Sequence, residues 1–138
     1  MNEVYNVIDY MQRNVIRTEK NWVKHAFATP KGITSEDLYF GEGEGISPTD
    51  KKACKWCLLG AKRKAIHDLD VDSNISRKVT RLLAKAIKKY DGDNNAFYSP
   101  FSGQTIIEFN DLAADYNGIR QVMRMAKEMA KEMAKEAA

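Results

Sequence analysis

The sequence predicts a mainly α-helical fold: one compact domain over residues 1–126 with about four principal helices and long irregular loops, then a charged helical C-terminal extension over residues 127–138. Three observations carry that expectation. Apolar residues recur every three to four positions in several separate stretches. Helix start and stop signals, such as Ser47-Pro48 and Asp91-Gly92, fall between them. A chain of 138 residues that is 43% hydrophobic and 30% charged suits one ordinary domain with a core of its own, and lacks the low hydrophobicity and high net charge of a disordered chain.

Val4, Val7, Ile8, Met11 and Val15 predict an amphipathic first helix from about Glu3 to Arg17, with Trp22, Val23, Ala26 and Phe27 continuing its packing surface. Thr29-Pro30-Lys31-Gly32 ends it. The connection that follows, up to Ile46, carries Leu38-Tyr39-Phe40, expected to tuck against the core. Its glycines, Gly41, Gly43 and Gly45, are expected to let the chain turn. A phosphate-cradling loop is excluded there, because Glu42 and Glu44 oppose phosphate and the Lys-Ser/Thr ending is missing.

The central helix is expected to start at Ser47, with Pro48 in the first turn and Asp50 as a capping-box acid, and to run to Ile66 or His67. Ala53, Cys54, Cys57, Gly60, Ala61 and Ala65 then share one small-sided sector, bordered by Trp56, against which neighbouring elements press closely. The acidic run from Asp68 to Asn74 resembles a calcium loop in its alternating oxygens. Ser73 and Val79, however, stand where glycine and glutamate are required, so it reads as an interhelical connection. The next helix is expected to start near Ser73 to Ser76 and run to Tyr90, burying Val79, Leu82, Leu83, Ala86, Ile87 and Tyr90. Asp93 to Gly103 reads as a loop anchored by Ala96-Phe97-Tyr98 and Phe101, and Thr105-Ile106-Ile107-Glu108-Phe109 as an extended segment. Asn110-Asp111 marks a turn, and Asp115 or Asn117 caps a last helix through Ile119, Val122, Met123 and Ala126. Its repeat Ala-Lys-Glu-Met has a period of four, so the methionine line drifts off the packed face and the end projects.

The net charge is only +3, but the segment from Lys51 to Lys89 carries +9 and the rest −6. Arg77, Lys78, Arg81, Lys85, Lys88 and Lys89 make a basic helix face uninterrupted by acids, suited to an acidic protein or a nucleic acid. No run of 18 apolar residues occurs and no basic, apolar leader opens the chain, so no membrane partner is expected and the cytoplasm is the expected location. The two cysteines are expected to be reduced thiols.

Cys54-x-x-Cys57 invites a redox reading, set aside because a helix starting at Ser47 leaves both thiols past the position where the helix terminus stabilises a thiolate. Zinc held by Cys54, Cys57, His25 and His67 lacks a second compact ligand pair, so no metal and no cofactor are expected. The sharper enzyme reading takes Cys57 as nucleophile, His67 or His25 as base and Asp111 as the group orienting it, giving a cysteine-dependent hydrolase or transferase. A cleft that brings Cys57 beside an imidazole and Asp111 favours it; an enclosed thiol without a base favours a scaffold.

Trp56-Cys57-Leu58-Leu59-Gly60-Ala61, the upstream Trp22 and the later Asn110-Asp111 resemble the signature of a small family found in bacteriophages and actinobacteria. The likeness spans about Val4 to Ala126, with Phe109 where that family often carries tryptophan. The resemblance implies no reaction; it implies a phage or mobile-element origin and a small accessory protein that binds and modulates a host factor, while the residue pattern itself gives Trp22, Trp56, Cys57, Gly60, Asn110 and Asp111 a structural role. The leading expectation is therefore a non-enzymatic binding or regulatory protein, its partner and oligomeric state unspecified by sequence.

Overall fold

The computed structural model describes residues 2–92 and 102–137; the expected loop from Asp93 to Gly103, with its anchors Phe97, Tyr98 and Phe101, lies almost wholly outside them. The chain folds as a mainly helical domain with six α-helices among the described residues rather than four, plus one small sheet.

Helix α1 (Glu3–Tyr10) starts because Asn2 Oδ1 accepts the Tyr5 N–H at 3.1 Å, and it buries Val7 and Ile8 completely. It widens into a π-helical turn, Met11–Val15, closed by the Ile16 N–H on the Met11 carbonyl. The apolar surface does not continue as a helix to Phe27. A short 3₁₀ turn, Glu19–Asn21, leads into extended chain, where Trp22 makes a parallel bridge to Trp56 and strand β1 (Ala28–Pro30) follows. Helix α2 (Ser35–Tyr39) is a single capped turn in the connection, its Thr34–Asp37 box closed in both directions. Tyr39 and Phe40, expected in the core, are 71% and 69% exposed.

The expected helix start at Ser47 is corrected. Ser47 Oγ accepts the Thr49 N–H, Asp50 Oδ1 accepts the Lys52 N–H, and the Asp50 carbonyl accepts the Ala53 N–H, so the residues that cap helices here build successive turns. Strand β2 (Ala53–Trp56) then pairs antiparallel with β1, Ala28 opposite Trp56 and Thr29 opposite Lys55. Helix α3 (Leu58–Leu69) begins only after Cys57, the N-cap, and ends at Asp70 in the left-handed conformation. Its small face is real: Gly60, Ala61 and Ala65 are buried, while Ala53 and Cys54 sit on the strand instead.

Asp72 caps helix α4 (Ser73–Asp91), which starts within the expected range, and Gly92 stops it with φ 71°; Tyr90, expected on the buried side, is exposed. The β-branched run from Thr105 is helical, not extended. Thr105, Ile106, Phe109 and Asn110 are buried at helical spacing within α5 (Ser102–Glu108) and the π-helical turn Phe109–Ala113, so tertiary packing overrides strand propensity. Asp115 caps helix α6 (Tyr116–Ala137) through the Gly118 N–H at 2.8 Å. The core forms where α4 packs on α5 and α6, with α1 lying against α3, α4 and α6. The packed face of α6 runs on past residue 126: Ala130 is buried, its carbonyl accepts from Asn2 Nδ2 at 2.8 Å, and Lys127 Nζ lies 3.2 Å from Asp9. From Lys131 to Glu136 the helix is exposed. No helix among the described residues is long and apolar enough to cross a membrane.

Candidate functional site

The residues that carry the sequence signature meet at the start of α3. Asn110, fully buried, is the hub: its Oδ1 accepts from Trp22 Nε1 at 2.7 Å and from the Leu58 N–H at 3.0 Å. Its Nδ2 donates to the Val23 carbonyl at 3.1 Å and to Asp111 Oδ1 at 2.9 Å. One amide thus ties the extended N-terminal segment, the first turn of α3 and the π-helical turn together, with every hydrogen-bonding site used. Asp111 extends the network by accepting the His25 N–H at 2.9 Å, which holds His25 at φ 73°. That conformation costs a β-carbon of the order of 1 kcal/mol and persists because its surroundings fix it.

Gly60 has a different reason to be there. A β-carbon on it would stand 1.9 Å from the Phe27 carbonyl oxygen, so the chain entering β1 crosses α3 at backbone contact. The same crossing lets the Cys57 N–H donate to the Phe27 carbonyl at 3.2 Å. Trp56 Nε1 donates to the Pro48 carbonyl at 2.9 Å and fixes the turn that delivers β2.

These contacts leave an open cleft of about 690 Å³, walled by Phe27, Ile46, Pro48 and Ile107 and carrying His25, Cys57, Arg63 and Asp111. Three of the four residues of the enzyme reading therefore share one cavity. His67 does not: it lies in the last turn of α3, roughly 15 Å along the helix from Cys57 at 1.5 Å per residue. Its side chain faces solvent beside Asp68, at 3.3 Å. His25 Nδ1 is 3.9 Å from Asp111 Oδ2, and no hydrogen bond joins His25 to Cys57 among the described residues. Cys57 is 5% exposed, and its Sγ is engaged as the helix cap by the Gly60 N–H at 3.2 Å.

Burial pushes the Cys57 thiol up from 9.0 to about 11, and Asp111 adds to the rise. The Gly60 and Leu59 N–H groups and Arg63 pull the other way and do not offset it. The ground for setting the redox reading aside is also corrected. β2 does run into α3, but the thiol at the helix start is the enclosed Cys57, with Cys54 three residues back on the strand. Among the described residues no three His, Cys, Asp or Glu side chains gather as metal ligands; His25 and His67 stand at opposite ends of α3.

The basic residues of α4 are all exposed, and at 100° per residue the six occupy a sector of about 120° opposite the core face. Lys62 of α3 points into the α3–α4 interface instead of to solvent. There its Nζ donates to Ser76 Oγ at 2.8 Å and Thr80 Oγ1 at 3.1 Å, and burial, with Arg63 nearby, lowers its pKa. Arg63 was also missed. Its guanidinium lies over the Phe27 ring at 4.2 Å, a pairing between residues far apart in the chain that no local pattern announces.

A helical domain organised by a buried Asn hub beside an open cleft is the class that fold and site define. The chain belongs to a family of unknown function, DUF6197, whose model matches residues 9–132. Among curated proteins and among solved structures, none matches the chain.

Proposed function

We propose that the chain is a small non-enzymatic binding or regulatory protein that engages a polyanionic partner, an acidic protein or a nucleic acid, through the outer face of α4. One observation carries the reading. On other elements some cations lie within 4 Å of a carboxylate, as Arg13, Lys64, Lys127, Lys131 and Lys135 do, and others, such as Lys51 and Lys52, do not among the described residues; α4 gathers six on one face. Arg77, Lys78, Arg81, Lys85, Lys88 and Lys89 have no such neighbour among the described residues. From Arg77 to Lys89 the face is about 18 Å long at 1.5 Å per residue, enough to follow several phosphates or carboxylates.

The test is binding of a fluorescent DNA duplex and of polyglutamate over a range of salt concentrations. Log affinity should fall linearly with log salt, and each lysine or arginine replaced by glutamine should reduce that slope by roughly 1 on DNA. Affinity for neither polymer, or a slope unchanged in Lys85→Gln/Lys88→Gln, rejects the reading.

A second reading, a cysteine-dependent hydrolase or transferase, is favoured by the presence of Cys57, His25 and Asp111 along one cleft. Against it stand the protonated, capped thiol and the missing bond to His25. Iodoacetamide separates the two: a thiol acting as nucleophile reacts at neutral pH as fast as a free cysteine or faster, whereas a capped one is protected until the chain unfolds.

A further inference from the structure

We infer that the cleft beside the start of α3 binds a small amphipathic anion: a flat apolar body bearing a carboxylate, sulfonate or phosphate at one end and an N–H donor at the other. Phe27, Ile46, Pro48 and Ile107 supply apolar walls, and the volume of about 690 Å³ is that of a small-molecule site. Two opposite charges line this cavity, Arg63 and Asp111, and they do not pair; no ion pair joins them among the described residues.

Each is held by something else. Arg63 is exposed and its guanidinium lies over the Phe27 ring at 4.2 Å; a guanidinium carries its N–H donors as a planar fork suited to a carboxylate, sulfonate or phosphate. Asp111 is clamped through Oδ1 by the His25 N–H and by Asn110 Nδ2, both at 2.9 Å, while Oδ2 takes no hydrogen bond among the described residues and lies 3.9 Å from His25 Nδ1. Two charges of opposite sign that line one apolar-walled cleft, each engaged by a different neighbour, form a preorganised frame for a ligand with the complementary pair. At the rim the His25 ring packs on the exposed Tyr39 at 5.6 Å, and Tyr39 on Phe40 at 5.2 Å, continuing the aromatic surface outward. The site is independent of the α4 face.

The probe is 8-anilinonaphthalene-1-sulfonate, which has a flat ring system, a sulfonate and one N–H, with the uncharged N-phenyl-1-naphthylamine as its partner. The folded chain should bind the sulfonate saturably at one site. Arg63→Gln should weaken that binding about tenfold or more, since a hydrogen-bonded charge contact is lost, while leaving the uncharged probe unaffected. Arg63→Lys, which keeps the charge without the fork, should fall between them. Lys85→Gln/Lys88→Gln/Lys89→Gln should bind the sulfonate like the wild type, and far-UV circular dichroism confirms that each variant is folded. The inference is overturned if Arg63→Gln binds the sulfonate as tightly as the wild type, or if the α4 variant loses it; either result leaves the salt-dependent binding of polyanions to α4 standing.

Discussion

Asn110 is the residue on which most of the molecule converges. Asn110→Ala would leave the Leu58 N–H, the Val23 carbonyl and the Trp22 indole N–H without their partner at a site closed to water. The expected loss is about 3 kcal/mol or more, since each buried orphan costs of the order of 1–3 kcal/mol. Urea unfolding followed by tryptophan fluorescence reads it, and a loss under 1 kcal/mol would contradict the hub. Cys57 makes a second prediction at this scale. Its pKa is raised in the folded state, so its contribution to stability is fully present below pH 9.0 and is lost as pH rises towards 11, where the unfolded thiol ionises first. The shift corresponds to about 2 kcal/mol. Cys57→Ser keeps a good N-cap and removes the titration, so the difference in unfolding free energy between wild type and variant should narrow or reverse by that amount between pH 8 and pH 11. Comparing the two chains cancels the other groups that titrate there, among them Tyr10, which its bond to Asp68 raises to about 12, and the lowered Lys62.

Among the elements, α3 is set by a close crossing and α6 by gradual release. Gly60→Ala drives a β-carbon into the Phe27 carbonyl, and that contact is backbone, which cannot rotate away. Either β1 separates from α3 or the chain fails to fold; the expected change in thermal midpoint is a fall of about 10 °C or more, from a loss of 2–3 kcal/mol. At the other end, removing residues 132–138 takes away the exposed stretch Glu132 to Glu136 and should change stability by less than about 0.5 kcal/mol. Truncation before Lys127 also removes Ala130, the Asn2 bond to its carbonyl and the Lys127–Asp9 pair, and should cost at least about 2 kcal/mol by denaturant unfolding. Equal stability of the two truncations would show that α6 releases earlier than Ala130.

For the whole molecule, the charge imbalance seen in the sequence becomes a surface with a direction. The α4 face lies outside the core and clear of the cleft, so binding at the two places should respond separately to salt and to Arg63→Gln. The sequence by itself determined the helical class, the stop of α4 and its basic face, and narrowed the last cap to Asp115 or Asn117, because each is written in local periodicity or in a cap beside the element it governs. It also singled out Cys57, His25 and Asp111 without their distances. Only the tertiary structure decided that Ser47 to Lys52 turns instead of coiling, because β2 is needed opposite β1 and pairing of distant strands has no local signal. The same holds for the exposure of Tyr39 and Phe40, the helical state of Thr105 to Phe109 and the stacking of Arg63 on Phe27. Each depends on which distant segment arrives alongside, and that is fixed by packing against the rest of the chain.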